Sequence, residues 1–407
     1  MSAFYISGPL AFYYHFVRLW GIPPFYHPFD DTDTVMSALR CLRQGVDVIA
    51  ANPCDPEARP FDYSPLWLAL AVLPVTPAWL NGAGLLVDFG FFASLLLLPV
   101  ARDGRAALAL ALAAVSSCAV LAVERGNNDL VLFVLAALAA VALGRAWGVR
   151  IIGYGLLLLA GLLKYYPMAA MAVALREKVG RFVFLTLASL AITGLFVAIT
   201  WHDLSRALAI IPEGTPFGNM FGAVNLGAGI ALDGHLPPVW PYAIRLALTG
   251  FAVFWATKRA GEPATRAALA TLSARETHFL MVGALLVVAA FFTAQNIGYR
   301  VIHLLLVLPA LLALRHAGPA ARFRHAPKVA LLLMWSELWR NRARWLGWHL
   351  GGKIGLGVGK YLAFAAKEAM WWWLVIVLAS YVLAWLSQGP LCQMAHRLLG
   401  GKAAAEG

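Results

Sequence analysis

The feature that most constrains this chain is a series of apolar runs, each close to the length that one helix needs to cross a bilayer. They lie at 62–80, 83–101, 106–123, 130–144, 151–175, 181–200, 240–257, 277–294, 301–314 and 370–387. Because backbone polar groups cannot remain unpaired in lipid, these runs predict helices. At about 20 residues per span, the sequence predicts an all-α, polytopic transmembrane protein of roughly ten to twelve spans.

Composition and charge agree with this fold class. Only 13% of the residues are charged, against about 25% in an ordinary soluble domain, so little of the chain is left for a soluble domain. The net charge is +12, and basic residues cluster in the connections 102–105, 176–181, 258–266 and 315–328. Such clusters are typical of cytoplasmic loops. No aromatic and basic soluble domain accompanies them, so we expect no nucleic-acid partner.

The basic loops also predict an orientation. If 258–276 is cytoplasmic, the segments 21–61, 201–239 and 293–300 are extracytoplasmic. Simple alternation then places the basic connections 102–105 and 145–150 on the wrong side. A re-entrant hairpin over 151–175, with the sequence LKYYP at its tip, returns them to the cytoplasm, provided that 62–101 holds another half-crossing broken at Pro74 and Pro77.

The N-terminal residues 3–20 are aromatic and show no features of a signal peptide. They predict either a first anchor with an interfacial end or the remainder of a longer one.

We divide the chain into a membrane module at 1–315, with its first extracytoplasmic loop at 21–61, and a C-terminal membrane segment at 316–407. In that segment Trp alternates with Arg and Lys over 335–373, which predicts an interfacial helix before a last span at 370–387.

Three acids stand in the first loop, within the sequence FDDTDT. Asp30, Asp31 and Asp33 precede a predicted helix, TVMSALRCLRQG, and capping of that helix accounts for one of them. Asp55, in NPCDP, is explained by an Asx turn before the proline. Capping does not need three acids, so we expect at least one to have a chemical role.

Two cations interrupt apolar sequence. Lys164 lies within the run 151–175, where a lysine costs about 2.5–3.5 kcal/mol to insert. Arg300 follows Tyr299 at the start of another run. The alternatives are a snorkelling lysine and an interfacial arginine, or two groups that bind an anion. His303, one turn further on, is more typical of an ordinary helix histidine.

A third polar cluster, ERGNND, connects two apolar runs. The candidate binding residues are Glu124, Arg125, Asn127, Asn128 and Asp129. A tight turn explains Gly126 and Asn127 through local hydrogen bonding. It does not explain the charged residues together, so we interpret this tip as a binding surface.

The cysteines and a glycine-rich stretch carry less information. Cys41 and Cys54 share the first loop, and an oxidising compartment would allow a disulfide worth about 3 kcal/mol. Neither their spacing nor nearby histidines predict a zinc site, so no metal or cofactor is expected. The sequence GLGVGK at 355–360 departs from the phosphate-binding loop pattern, and it predicts close packing of helices instead.

An acidic outer loop combined with cations in the membrane suits transfer of a group from a lipid-linked phosphate. The leaving phosphate stays ionised and needs Lys or Arg, while a carboxylate accepts the proton of an attacking hydroxyl. The alternative is a transporter or lipid flippase with the cations along its substrate route, although no repeated halves are seen. An assembly subunit would leave the acidic loop unexplained.

The series FDDTDTVMSALRCLRQGVDV, NPCDPEARPFDYSPLW, ERGNND, LLKYYP and GYRVIHLLLVLPALL resembles, in order and spacing, the membrane glycosyltransferases of the C-type fold (GT-C), in particular glycosyltransferase family 87. The resemblance covers roughly 25–315. It implies a multi-pass protein of the bacterial inner membrane. It also implies inverting transfer of a sugar, commonly mannose, from a polyprenyl-phosphate donor to a lipid or glycan acceptor.

The resemblance further implies a catalytic Asp in the first extracytoplasmic loop. Asp31 matches that position best, and Asp33 is the second choice. The remaining candidate residues are assigned to substrate binding: Glu124, Arg125, Asn127, Asn128, Asp129, Lys164, Tyr299 and Arg300.

Overall fold

The structure is a computed structural model that describes residues 10–23, 25, 27–315 and 323–398. Parts of three predictions lie outside these residues: the start of the anchor at 3–20, the middle of the basic loop at 315–328, and the end of the C-terminal segment.

The described chain is mostly helical, with almost no strand. Its α-helices are α1 (Leu10–Leu19), α2 (Asp30–Arg43), α3 (Leu80–Leu95), α4 (Gly104–Ala114), α5 (Ser117–Glu124), α6 (Asn128–Leu143), α7 (Trp147–Lys164), α8 (Val179–Ala209), α9 (Asn225–Gly234), α10 (Val239–Ala260), α11 (Pro263–Ala270), α12 (Ala274–Thr293), α13 (Leu304–Leu314), α14 (Ala326–Met334), α15 (Ser336–Ser387) and α16 (Pro390–Leu398). Segments of 3₁₀ helix lie at Pro65–Val72, Pro77–Trp79, Tyr166–Arg176 and Gly298–His303. Two short strands, β1 (Met220–Phe221) and β2 (Asn296–Ile297), pair antiparallel.

Six helices among the described residues are long and apolar enough to cross a membrane: Pro77–Leu95, α7, α8, α10, α12 and α15. A seventh crossing results if α4 and α5, bent by 41°, form one span. The all-α class with apolar helices of membrane-spanning length is confirmed, but the count is below the predicted ten to twelve. Several apolar runs are not long α-helices: 62–80 is mostly 3₁₀ helix, and 130–144 and 301–314 form shorter helices.

The predicted hairpin over 151–175 is present. Helix α7 ends at Lys164, Tyr165 adopts a left-handed φ of 54°, and the 3₁₀ segment returns along α7. A Cβ at Gly161 would lie 3.0 Å from the backbone of Met168, and Arg150 contacts Glu177 at 2.6 Å. Both ends of the hairpin therefore lie at one end of the molecule, with Lys164 at the apex.

Basic connections gather at that end, which we call the basic end. Arg102 binds Glu276 at the start of α12 at 2.6 Å, and the turn at Gly144 packs against His278, two residues further along the same helix. Together with the base of the α7 hairpin, these contacts bring 102–105, 145–150 and 176–181 to the same side of the helix bundle. That grouping is the one expected of cytoplasmic loops.

The opposite end carries the first loop, and we call it the site end. Arg206, near the end of the 31-residue helix α8, binds Asp47 of this loop at 2.6 Å. The first loop has a small apolar core of its own, which includes Val35, Leu39 and Phe61. The expected disulfide between Cys41 and Cys54 is present and closes this loop.

The C-terminal segment differs from its prediction. Residues 335–373 do not form a single helix, because α15 is broken at Gly351 and Gly352 and folds back as two antiparallel arms. A Cβ at Gly347 would lie 2.1 Å from the carbonyl oxygen of Gly355, so the arms touch through their backbones and the predicted glycine packing is confirmed. Trp371 and Trp372 are buried in the main core rather than interfacial.

Candidate functional site

The N-terminus of α2 is fixed to the turn between α5 and α6 by backbone hydrogen bonds. The amides of Phe29 and Asp31 donate to the carbonyls of Glu124 (2.7 Å) and Arg125 (3.0 Å). The Thr32 hydroxyl donates to the carbonyl of Gly126 at 2.7 Å. Gly126 has a φ of 53°, and a Cβ there would lie 2.5 Å from that hydroxyl. Two of the predicted motifs, FDDTDT and ERGNND, are therefore joined directly.

Asp31 is held by Arg125 and Asn127. The Arg125 guanidinium donates from Nε to Oδ2 at 2.7 Å and from Nη2 to Oδ1 at 2.5 Å, and the Asn127 amide also donates to Oδ2. Burial alone would raise the pKa of Asp31, but the charge and hydrogen bonds of Arg125 and the bond from Asn127 outweigh it and lower the pKa. Asp31 is buried, with 3% of the residue exposed, and these bonds favour the ionised carboxylate and fix its orientation.

Asp30 lies between two arginines. It accepts from Arg59 at 2.8 and 3.0 Å and from Arg125 at 2.8 Å. Arg59 also contacts Asp55 at 3.0 Å. Asp55 accepts from the amide of Glu57 at 2.9 Å, so the predicted Asx turn is confirmed. The expected capping role is wrong: Phe29 is the N-cap of α2, and no side chain caps the helix.

Asp33 points toward a different part of the first loop. Its nearest basic neighbours are Arg40 at 3.6 Å and His27 at 3.7 Å, which are longer contacts than those of Asp31. Burial raises the pKa of Asp33, and the neighbouring charges only partly offset this. The two predicted catalytic acids therefore differ. Asp31 has a lowered pKa and a close ion pair, whereas Asp33 has a raised pKa and only longer contacts.

The predicted cations converge on one carboxylate, that of Asp129 in the first turn of α6. Lys164 contacts Asp129 at 2.5 Å and Arg300 contacts it at 3.4 Å. The Tyr166 hydroxyl donates to the same carboxylate at 2.6 Å and lies 2.6 Å from Nε2 of His303. Lys164 and Arg300 thus have a buried partner, and they are not isolated charges in apolar sequence.

Aromatic rings surround these cations. Lys164 lies 5.6 Å from the ring centre of Tyr63 and 5.4 Å from that of Tyr299. Arg300 lies 5.6 Å from the ring centre of Tyr166, and it also donates to Asn296 of β2. The side chains of Lys164 and Arg300 remain 9% and 19% exposed, whereas that of Asp129 is fully buried.

The cluster has two parts, which we call the Asp31 group (Asp30, Asp31, Asp55, Arg59, Arg125 and Asn127) and the Asp129 group (Asp129, Lys164, Tyr166 and Arg300). Asp62 interacts electrostatically with members of both. It is half-buried, burial raises its pKa, and the charges acting on it are those of Lys164, Asp31 and Arg59. The hydroxyl of Ser64 donates to the carbonyl of Leu162 at 2.7 Å and holds this segment against the end of α7.

Four residues of the cluster were not selected from the sequence: Arg59, Asp62, Tyr63 and Tyr166. All lie in the stretches NPCDPEARPFDYSPLW and LLKYYP, which carry the family resemblance. The available signal was a pair of charges, Arg59 and Asp62, immediately before an apolar run.

The predicted residues divide into two sets. The cluster brings together Asp31, Arg125, Asn127, Asp129, Lys164, Tyr299 and Arg300. Asp33 lies to one side, and Glu124 bonds the hydroxyl of Tyr13 and leaves its second oxygen without a hydrogen-bond partner. Asn128 is buried with its amide nitrogen unpaired. Asn127 also caps α6 by accepting from the amide of Asp129 at 2.8 Å, as its turn position predicted.

Comparisons of this chain with protein-family models, with curated proteins and with solved structures gave no match.

Proposed function

We propose that this protein is a membrane glycosyltransferase that moves a sugar from a polyprenyl-phosphate donor to a lipid or glycan acceptor. The observation that carries the proposal is the convergence of an oriented carboxylate, Asp31, and two cations, Lys164 and Arg300, at the end of the bundle opposite the basic loops. Sugar transfer from a phosphate donor needs both kinds of group in one site.

Lys164 and Arg300 are assigned to the donor phosphate. Both contact the single carboxylate of Asp129, so together they carry more positive charge than it balances. Arginine offers a planar set of donors for phosphate oxygens, and lysine acts as a point charge. The bound phosphate stays ionised as the bond to the sugar breaks, and the cations stabilise the charge that it gains.

Asp31 is assigned to the acceptor. A carboxylate has about four lone-pair positions, and Arg125 and Asn127 use three of them, two on Oδ2 and one on Oδ1. The remaining position on Oδ1 accepts the proton of the acceptor hydroxyl. As that oxygen bonds to the anomeric carbon, the bond from this carbon to the phosphate oxygen breaks, and the configuration inverts.

An apolar cavity of about 780 Å³ supports a lipid-linked substrate. It lies between α10, α12 and α15 and extends along α10 from Tyr242 to Thr257. Its lining includes Arg245 and Phe292, and Phe292 is in the last turn of α12, just before the loop that carries Asn296 and Arg300. A prenyl or acyl chain fits such a cavity, whereas a free sugar does not.

The proposed location is the bacterial inner membrane, with the site end outside. Impermeant maleimide labelling of single cysteines in intact cells tests the orientation. Both Glu213, at the site end, and Arg266, at the basic end, are exposed. Because the label does not cross the membrane, Glu213→Cys should react and Arg266→Cys should not. The reverse pattern would contradict the orientation.

The activity test uses purified protein in lipid discs with radiolabelled polyprenyl-phosphate sugars and a membrane extract as acceptor. A new labelled product on thin-layer separation is expected, and Asp31→Asn protein is the matched control. The competing transporter function predicts movement of the lipid-linked sugar across a vesicle membrane with no new product. That result would replace the transferase proposal.

A further inference from the structure

The two arms of α15 form a hairpin that the proposed function does not use. The first arm runs from 336 to 350 and the second from 353 to 367, and we call them together the α15 hairpin. Gly347 packs on Gly355, and Gly359 packs on the carbonyl of Ala343 at a Cβ distance of 2.5 Å. Each arm has about 15 residues and is therefore about 20 Å long.

The hairpin lies at the site end of the molecule. Lys360 lies 3.7 Å from the ring centre of Phe217, and Lys367 donates to the carbonyl of Met220 in β1. Strand β1 pairs with β2, which leads directly to Arg300. Beyond 367, α15 continues through the core to Trp385, whose carbonyl accepts from Arg176 at the basic end. The α15 hairpin thus lies outside the core, at the site end of the buried part of α15.

The α15 hairpin is basic, although it lies at the end of the molecule where the positive-inside rule predicts few basic residues. From 338 to 367 the chain has no Asp or Glu, while Arg342, Arg344 and Lys353 are exposed. Basic segments otherwise collect at the basic end, as the positive-inside rule requires. An acid-free basic segment at the other end needs a separate reason, and a negatively charged surface supplies one.

The turn of the hairpin is also apolar and exposed. Leu350 is 79% exposed and Ile354 is 82% exposed, one on each side of the break. Trp345 and Trp348 are exposed on the first arm. Tryptophan and arginine together are typical of the boundary between lipid head groups and hydrocarbon, where the ring enters the apolar layer and the guanidinium reaches phosphate.

We propose that the α15 hairpin docks on the anionic phospholipid surface of the leaflet at the site end. The apolar turn enters the head-group region, and the exposed arginines and lysine contact lipid phosphates. The occupant is the bilayer itself, because the surface combines apolar and basic side chains without an acid to recognise a basic partner. This inference concerns membrane contact and does not depend on the transferase reaction.

Fluorescence of a single label on the full-length protein tests the proposal. Cys118 and Cys392 are replaced by Ser, and the bonded pair Cys41 and Cys54 is kept. A nitrobenzoxadiazole label is placed at Leu350→Cys. The protein is then studied in discs of phosphatidylcholine with and without phosphatidylglycerol, using nitroxide-bearing lipids as quenchers.

Two control positions calibrate the signal. A label at Leu195→Cys, on the exposed apolar surface of α8, gives the value for hydrocarbon, and a label at Arg266→Cys, at an exposed position of the short helix α11, gives the value for water. The label at Leu350→Cys should be quenched several-fold more than the one at Arg266→Cys. Quenching should increase when anionic lipid is added.

Charge removal provides the second measurement. An arginine near an anionic surface shifts a docking equilibrium about fivefold, so Arg342→Gln with Arg344→Gln should remove most of the increase caused by anionic lipid. Equal quenching at Leu350→Cys and Arg266→Cys in both lipid mixtures would overturn the proposal. A label that is shielded from lipid quenchers in discs holding two copies would overturn it in favour of a second copy as the occupant.

Discussion

The Asp31 group and the Asp129 group meet in one cluster, yet they are built with opposite charge excess. In the Asp31 group, the three carboxylates of Asp30, Asp31 and Asp55 pair with only two cations, Arg59 and Arg125, so acids outnumber cations. Around Asp129, Lys164 and Arg300 share one carboxylate, so cations outnumber acids. Under the proposed function, these two groups are the base and the anion site; a purely structural ion-pair network does not require adjacent groups of opposite charge excess.

The geometry of pairing differs as well. Arg125 binds Asp31 with two parallel hydrogen bonds, the arrangement that fixes orientation most firmly. Arg300 reaches Asp129 through a single longer contact of 3.4 Å, so it can exchange that partner for a phosphate. We infer that the Asp31 group is preorganised and that the Asp129 group rearranges when a ligand binds.

The largest effect is expected from Asp31→Asn. Asparagine keeps the size of the side chain but removes its basicity, so turnover should fall about a hundredfold to ten-thousandfold while donor affinity is retained. Turnover and donor binding are measured on the same preparation. The matched control is Asp33→Asn, which should keep most of the activity because Asp33 pairs only loosely with Arg40 and His27. Loss of turnover in Asp33→Asn but not in Asp31→Asn would move the base to Asp33.

Removing the disulfide should impair the Asp31 group more than the Asp129 group. The Cys41–Cys54 bond closes the loop behind α2, and its loss costs about 3 kcal/mol of stability in the chain-entropy model. In a Cys41→Ser, Cys54→Ser variant, we expect a lower midpoint of thermal unfolding and reduced turnover, with donor affinity changed less. Donor affinity that falls as far as turnover would show that the two groups are not independent.

Lys164→Met and Arg300→Met test the Asp129 group. Each loses a charge-assisted hydrogen bond to the donor phosphate, which weakens donor binding by about 1.5–3 kcal/mol. Each variant also leaves Asp129 with fewer partners, so unfolding is measured in parallel. Lys258→Met, at the basic end, serves as the control and should bind donor normally. Unchanged donor affinity in a folded Lys164→Met protein would assign the lysine to structure alone.

The smallest effect is a shift in the pH profile. Arg125 and Asn127 lower the pKa of Asp31, so this base is lost only as the pH falls below the usual carboxylate value of about 3.9. The acid limb of kcat/KM should therefore lie at unusually low pH. Burial raises the pKa values of Asp33 and Asp62, so an acid limb above the usual value would point to one of them.

The sequence predicted those parts of the fold that depend on local patterns. Lys164 and Pro167 interrupt an apolar run, and the hairpin at that point was therefore foreseeable. The break near Pro74 was visible for the same reason. The 3₁₀ segment Pro65–Val72 was not, because an apolar run does not distinguish an α-helix from a tighter helix packed on neighbours.

The site was predicted less completely than the fold. Asp31, Asp129, Lys164 and Arg300 were selected because charge beside apolar sequence is conspicuous. Asp62 lies in a polar loop, where one more acid carries no periodic signal, and contacts of its neighbours Ser64 and Trp67 with the end of α7 bring it to the cluster. The partner of Lys164 was equally hidden, since Asp129 is 35 residues away.

The length of the α7 hairpin sets the distance of Lys164 from the basic end. Its first helix has 18 residues, or about 27 Å of rise, which is close to the roughly 30 Å thickness of the hydrocarbon layer. In the proposed orientation, a hairpin rooted at the basic end places the amine of Lys164 at the far edge of the hydrocarbon, at the depth of a lipid phosphate. Inserting one residue into α7 would raise this amine by about 1.5 Å and rotate it by about 100°, away from Asp129.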